Sequence, residues 1–294
     1  MSFVSTSATS WFNGTPHLRV YGVGADSKLK EYCWDTDHWY RGGLTDQFSV
    51  ESGSAVTSWQ DAAGIHLRVY AQGLDGKIKE YCWDKDRWYV GGLSDRFTIA
   101  DTPAAVSWLD GGHQVHIRVY ARGDDGRIKE YCWDRDGWYV GGLSDQFATL
   151  GGLAATAWLN GPILHIRVYA LALDTKVIEY CWDGNGWHPG GFSKQELSTI
   201  GSPAATSWAP GHVRVYTAGT NTLLQEDCWD QDAWYSGALS QQFTSVGLPA
   251  VTSWLQGTQA HLRVYTLGMD QRIHEHCWDG THWYEGAFQA QVGG

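Results

Sequence analysis

A unit of 47 to 50 residues, repeated six times, sets the limits on what this chain can fold into. Its clearest marker is the Arg of an Arg-Val-Tyr segment, at Arg19, Arg68, Arg118, Arg167, Arg214 and Arg263, with intervals of 49, 50, 49, 47 and 49 residues. The second copy serves as a template. Ala55–Trp59 and His66–Ala71 read as strands with side chains alternating between two faces. Asp75-Gly76 is a two-residue hairpin signal, present again as Asp125-Gly126 and more loosely as Asp26-Ser27 and Asp174-Thr175. Lys77–Trp83 supplies a third strand and the Trp88-Tyr89-Val90-Gly91-Gly92 run a fourth. Four short antiparallel strands per unit describe a propeller blade, and six blades close without long exposed edges. The expected fold is all-β, a single six-bladed propeller domain over 1–294. Its blades run approximately over 1–48, 49–97, 98–147, 148–196, 197–243 and 244–294. A solenoid of strand pairs fits less well, because it needs atypical capping repeats and the end repeats here resemble the rest.

Composition agrees with short strands and tight turns: 18 Trp, 15 Tyr and 36 Gly against 2 Met and 7 Pro. The net charge of −11 comes from scattered acidic residues, with no Lys/Arg block to track a phosphate backbone or an anionic bilayer. Nucleic acid and membrane insertion are therefore excluded as expectations. The start, Met1-Ser2-Phe3-Val4-Ser5, lacks the basic and apolar run of a signal peptide. The expectation is a soluble protein, cytoplasmic or released by an unconventional route. The six cysteines, Cys33, Cys82, Cys132, Cys181, Cys228 and Cys277, fall one per repeat, too far apart to bridge and without a CxxC pair for zinc. They read as buried free thiols.

The tryptophans resolve into three per repeat. Trp11, Trp59, Trp108, Trp158, Trp208 and Trp254 end a small-residue strand, where packing between blades is the natural role. The second set follows the Cys (Trp34, Trp83, Trp133, Trp182, Trp229, Trp278). The third lies five residues on (Trp39, Trp88, Trp138, Trp187, Trp234, Trp283). Each such pair is either a stacking surface or ordinary blade packing. Charged residues inside strands are harder to assign to packing. Arg19/Glu31, Arg68/Glu80, Arg118/Glu130, Arg167/Glu179, Arg214/Glu226 and Arg263/Glu275 are each twelve residues apart across the hairpin, which is expected to set them side by side. The plain reading is a cross-strand ion pair. With aromatic neighbours, a guanidinium fork and a carboxylate instead match the vicinal hydroxyls of a neutral polyol, the ring covering its C–H face. One His per repeat (His17, His66, His116, His165, His212, His261) stands two residues before the Arg, a hydrogen-bonding or solvent-facing position. One per blade makes no metal site, and no metal or other cofactor is expected. Asp35, Asp84, Asp134, Asp183, Asp230 and Asp279 follow the second Trp and read as turn formers. A glycosidase needs one unique catalytic set, whereas this chain repeats everything six times. An interaction propeller needs varied top-face residues and no uniform Arg/Glu/Trp set. Neither is the expected class.

The blade text RVYAQGLDGKIKEYCWDKDRWYVGGL closely resembles the blades of the fungal fucose-specific lectins of the Aleuria aurantia type, and the resemblance extends over all six repeats. It implies a multivalent lectin for L-fucose and fucosylated oligosaccharides or glycoproteins, in up to six sites shared between neighbouring blades. One blade would supply Arg and Glu. The next would supply two Trp and an apolar residue three before its own Arg. Carried onto this chain, Arg19 and Glu31 would meet Ile65, Trp83 and Trp88; Arg68 and Glu80 would meet Val115, Trp133 and Trp138. Arg118 and Glu130 would meet Leu164, Trp182 and Trp187; Arg263 and Glu275 would meet Trp34, Trp39 and Pro16. Arg167 and Glu179 with Trp229 and Trp234 would lack the apolar contact at Gly211. Arg214 and Glu226 with Trp278 and Trp283 would have only Ala260, so these two sites are expected to be weakest. Arg would donate to the O4 and ring-oxygen edge, Glu would accept from hydroxyls, and the second Trp of each pair would donate its indole N–H. The aromatic pocket would hold the C6 methyl and so exclude galactose. The resemblance is also compatible with a homodimer.

Overall fold

The computed structural model describes residues 3–194 and 199–292. Among them lie six four-stranded antiparallel sheets, each with its strands in chain order, so that every strand pairs with its neighbour in sequence. In the second sheet the strands are Val50–Asp61, Gly64–Gly73, Ile78–Asp84 and Arg87–Val90. In the third they are Ala104–Leu109, Val115–Arg122, Ile128–Asp134 and Trp138–Val140. The expected boundary between the fourth and fifth blades, at 196/197, lies outside the described residues. Packing divides the chain into two compact units, Met1–Val50 with Thr199–Gly294, and Glu51–Ser198. The first carries the first, fifth and sixth sheets, the second the other three.

The hairpin between the second and third strands has a three-residue loop, one longer than the Asp-Gly signal implies. Gly73 N–H donates to Lys77 O at 2.8 Å, and inside that pair Gly76 N–H donates to Gly73 O at 2.9 Å. Gly76 then takes φ +74°. This is a type I turn closed by a left-handed residue, and Asp75 Oδ1 secures it by accepting from Lys77 N–H at 3.1 Å. In four other blades the left-handed position falls to Ser27, Thr175, Thr222 and Gln271, where a Cβ makes that conformation less favourable.

Both faces of each Arg-Val-Tyr strand are covered, so its apolar residues run consecutively instead of alternating. The six Val and six Tyr of that segment, from Val20 and Tyr21 to Val264 and Tyr265, are 0 % exposed. In the second unit Tyr70, Leu93, Ile117 and Val119 form one inter-sheet cluster, and Tyr120, Leu143, Ile166 and Val168 the next. Further out, Phe97 stacks on Tyr131 and Phe147 on Tyr180, at centroid distances of 4.2 and 4.0 Å. The small residues of the first strands let neighbouring sheets approach until hydroxyls meet: Thr57 with Ser107, and in the other unit Ser10 with Thr252 and Thr206 with Ser253, all at 2.7 Å. Two blades break the pattern. Asp227 and His276 stand where the others place Tyr32, Tyr81, Tyr131 and Tyr180, and both are buried. Burial and the neighbouring Glu226 push the Asp227 carboxyl up to about 7. The six cysteines are free and buried, and burial pushes the thiols up to about 12.

Candidate functional site

Strand register decides how the repeated Arg and Glu relate. Arg118 lies opposite Cys132, and Glu130 lies opposite Tyr120; the other described hairpins repeat this, as in Arg68↔Cys82 and Tyr70↔Glu80. The two charges are therefore diagonal on one face and not directly opposed. Arg167 and Glu179 come within ion-pair range, at 3.8 Å. The acid is instead built into the blade. Glu130 is 3 % exposed, its Oε1 accepting from Tyr120 OH at 3.2 Å and its Oε2 from Leu143 N–H at 2.8 Å. The same two contacts hold the other five Glu side chains. The close approach needs a glycine. A Cβ on Gly141 would stand 2.3 Å from Glu130 Oε2, and Gly42, Gly91, Gly190, Gly237 and Gly286 face the same constraint. Burial pushes Glu80, Glu130, Glu226 and Glu275 upward, against the hydrogen bonds and nearby Arg that pull them down.

The next blade completes the arrangement. The Trp138 indole stands close enough to Glu80 to help hold its carboxyl down, and the Trp187 indole does the same for Glu130. Within each blade the two late Trp face each other across the third and fourth strands and tilt at 50 to 57°. Three cavities collect these parts. One of about 290 Å³ brings Arg118 and Glu130 together with Leu164, Ile166, Trp182 and Trp187. A second, of about 210 Å³, joins Arg214 and Glu226 to Leu262, Trp278 and Trp283. A third, of about 390 Å³, joins Arg263 and Glu275 to Pro16, Leu18, Trp34 and Trp39. Around Glu80, half-buried Val115 and Trp133 pack on the cluster that contains Trp138. Glu31 and Glu179 are held within their own blades as Glu130 is; the pairing of Arg19 and Glu31 with Ile65, Trp83 and Trp88, and of Arg167 and Glu179 with Trp229 and Trp234, stays an expectation.

The Asp after the second Trp does more than form a turn, where the Asp136 N–H donates to Asp134 O at 2.7 Å. Asp134 accepts from Arg118 Nη1 and Nη2 at 3.0 and 2.9 Å and also bonds His116 Nδ1 and Tyr139 OH. Burial alone would raise this carboxyl, but Arg118, Tyr139 and His116 outweigh it and hold it down at about 2. Asp230 is held at about 2 in the same way, by Arg214, Tyr235 and His212. The first Trp of each repeat also does more than pack blades. Trp108 lies 5.0 Å under the Arg118 guanidinium and stacks on His116 at 5.2 Å, a cation–π contact repeated in all six blades. The His is thus a hydrogen-bonding residue, sandwiched between an indole and a carboxylate.

A family model for fungal fucose-specific lectins matches residues 3–95 and 115–293. The chain belongs to this family. Over 52 residues, 18 % of this chain and 17 % of the relative, it is 36 % identical to the fucose-specific lectin of Aleuria aurantia. Among solved structures, the Aleuria aurantia lectin, described as a six-bladed β-propeller with a novel mode of fucose recognition, has 26 % identity and a TM-score of 0.81. That likeness covers 97 % of this chain and 95 % of that one. The SapL1 lectin, solved with α-methyl fucoside, is 31 % identical with a TM-score of 0.78, covering 96 % of both chains. The fold is accordingly all-β, a six-bladed propeller with four antiparallel strands per blade.

Three further residues gather around the Arg. Tyr139, Tyr235 and Tyr284 line the three cavities, and Trp208 and Trp254 line two of them, while the Asp stands behind its Arg. The Asp and the first Trp recur in all six repeats, as Arg and Glu do; the Tyr recurs in five, with His188 in the fourth. The apolar contribution also shifts. Ala260 does not line the Arg214 cavity; Leu262, the residue just before the next Arg, does. Leu18 and Ile166 hold the same place, so a small residue three before the Arg does not remove the apolar wall.

Proposed function

We propose that this chain is a multivalent lectin for L-fucose and fucosylated glycans, acting through up to six inter-blade sites of one domain over 1–294. The observation that carries the reading is the Arg118 cavity, where a guanidinium and a buried carboxylate from one blade face two indoles and two aliphatic side chains from the next. Such a set suits a small neutral sugar with one polar edge and one apolar end. Arg118 donates to adjacent sugar oxygens and Glu130 accepts from a hydroxyl. The Trp187 indole lines the same cavity as Glu130. Leu164, Ile166 and the Trp182 face form a dry wall for the C6 methyl, so a sugar with a hydroxymethyl group there would bury an unsatisfied hydroxyl. The family whose model matches is one of fucose-specific lectins. The test is retention of the full chain on immobilised L-fucose with elution by free L-fucose. Equal elution by galactose would sink the specificity.

A further inference from the structure

The guanidinium of each repeat has five N–H donors, and the structure accounts for which ones a ligand can reach. Arg118 Nη1 meets Ile117 O, Trp133 O and Asp134 Oδ1 at 2.9, 3.4 and 3.0 Å, which occupies both its hydrogens. Nη2 gives one hydrogen to Asp134 Oδ2 at 2.9 Å. Among the described residues no acceptor meets Nε. Two donors therefore remain, Nε–H and the second Nη2–H, and they lie on the same edge of the fork, parallel and spaced to take two adjacent oxygens. One flat face of the group is covered by Trp108. The carboxylate thus holds the end-on edge and leaves the side-on edge for the cavity that Arg118 lines.

We infer that Asp134, with Asp35, Asp84, Asp183, Asp230 and Asp279 in the other blades, is a positioning residue that selects the ligand-facing edge of its Arg. The inference rests on the fucose reading of the site and deepens it, because the two-pronged hold is not uniform. Arg19, Arg68, Arg118 and Arg214 each give Nη1 and Nη2 to the two oxygens of their Asp, at 2.9 to 3.2 Å. Arg167 and Arg263 give only Nη1, at 2.9 Å. In the fourth blade the Tyr that braces the Asp elsewhere is replaced by His188, 3.5 Å from Asp183, and Arg167 Nε turns toward Glu179 instead. The ranking of sites follows the Arg–Asp geometry: the Arg214 site binds with the strong group, and the Arg167 and Arg263 sites are weaker.

Two readouts on the full chain test this. Crystals of wild type, Asp134→Asn and Asp134→Ala are soaked across a concentration series of α-methyl-L-fucoside, and occupancy is read site by site. Nitrogen NMR of arginine-labelled protein, without sugar, measures rotation of the Arg118 guanidinium about its Nε–Cζ bond. The expected result is roughly tenfold weaker occupancy at the Arg118 site in Asp134→Asn, a larger loss in Asp134→Ala, and unchanged occupancy at the Arg214 site. Guanidinium rotation should be slow in wild type and fast in both variants. Full occupancy in Asp134→Ala, or rotation that does not change, overturns the positioning role. A wild-type Arg118 site that stays empty while rotation responds as expected overturns the fucose reading of that cavity and leaves the positioning role standing. Wild-type occupancy that ranks Arg263 above Arg214 refutes the ordering.

Discussion

At the scale of single residues, each site depends on a carboxylate that the blade has already bonded. Glu130 presents an acceptor held by Tyr120 OH and Leu143 N–H, so binding pays little to order it. Gly141 is the residue that permits this, since a Cβ would fall 2.3 Å from Glu130 Oε2 and 2.5 Å from Cys132 Sγ. Gly141→Ala is expected to displace Glu130, reducing fucoside stoichiometry by one site in calorimetry and lowering the melting temperature; unchanged stoichiometry would refute the role given to this glycine. Arg118→Ala is expected to abolish the same site and to leave Asp134 without its strongest partner. The Arg and Glu were legible in the sequence because charged residues at fixed offsets in strands need a reason. The Asp was not, because a residue at a strand end next to other acids has the same local signature whether or not its side chain grips an Arg sixteen residues earlier.

The blade is the element at which two further predictions belong. Gln271 takes φ +60° where the second and third blades use glycine. Gln271→Gly is expected to stabilise the sixth blade by about 0.5–1 kcal/mol, read as a raised midpoint in denaturant; a lowered midpoint would show that the side chain matters more than the turn. In the fifth blade, Asp227 is buried with its carboxyl raised from 3.8 to about 7. The folded state therefore keeps a proton that the unfolded chain releases, so stability from this group is fully present below about pH 4. It is lost as pH rises through about 7. Asp227→Asn is expected to raise stability at pH 8 by on the order of 2–4 kcal/mol, with little change at pH 4. Thermal melts at the two pH values check this, and equal gains at both would rule out ionisation as the cause. His276 works in the opposite sense, since burial lowers it to about 4 and its stability is lost as pH falls from 6.5 through that value. Strand-forming residues and turn signals made the strands readable from the text. The three-residue loop was not, because Asp-Gly marks both a two-residue turn and the end of a longer one.

Across the whole molecule, the proposed function with up to six sites makes binding a matter of avidity. Sites of modest affinity on one chain, facing glycans tethered to one surface, raise the effective concentration of every later contact. Removing a single site by Arg118→Ala is therefore expected to change the agglutination titre of fucosylated cells by less than about twofold, while free fucose competes fully. A collapse of agglutination on loss of one site would mean that the remaining sites do not act together.

The repeat alone determined the fold class, the number of blades and the identity of the Arg, Glu and Trp positions, because an array must reuse the same burial and hydrogen-bond solution in every unit. Tertiary structure decided the partners. Register set Arg against Cys and Glu against Tyr, backbone N–H groups and a glycine fixed the carboxylate, and the neighbouring blade brought its indole to that carboxylate. Those contacts join residues far apart in sequence or two positions off a hairpin register, and their geometry depends on packing that periodicity does not encode.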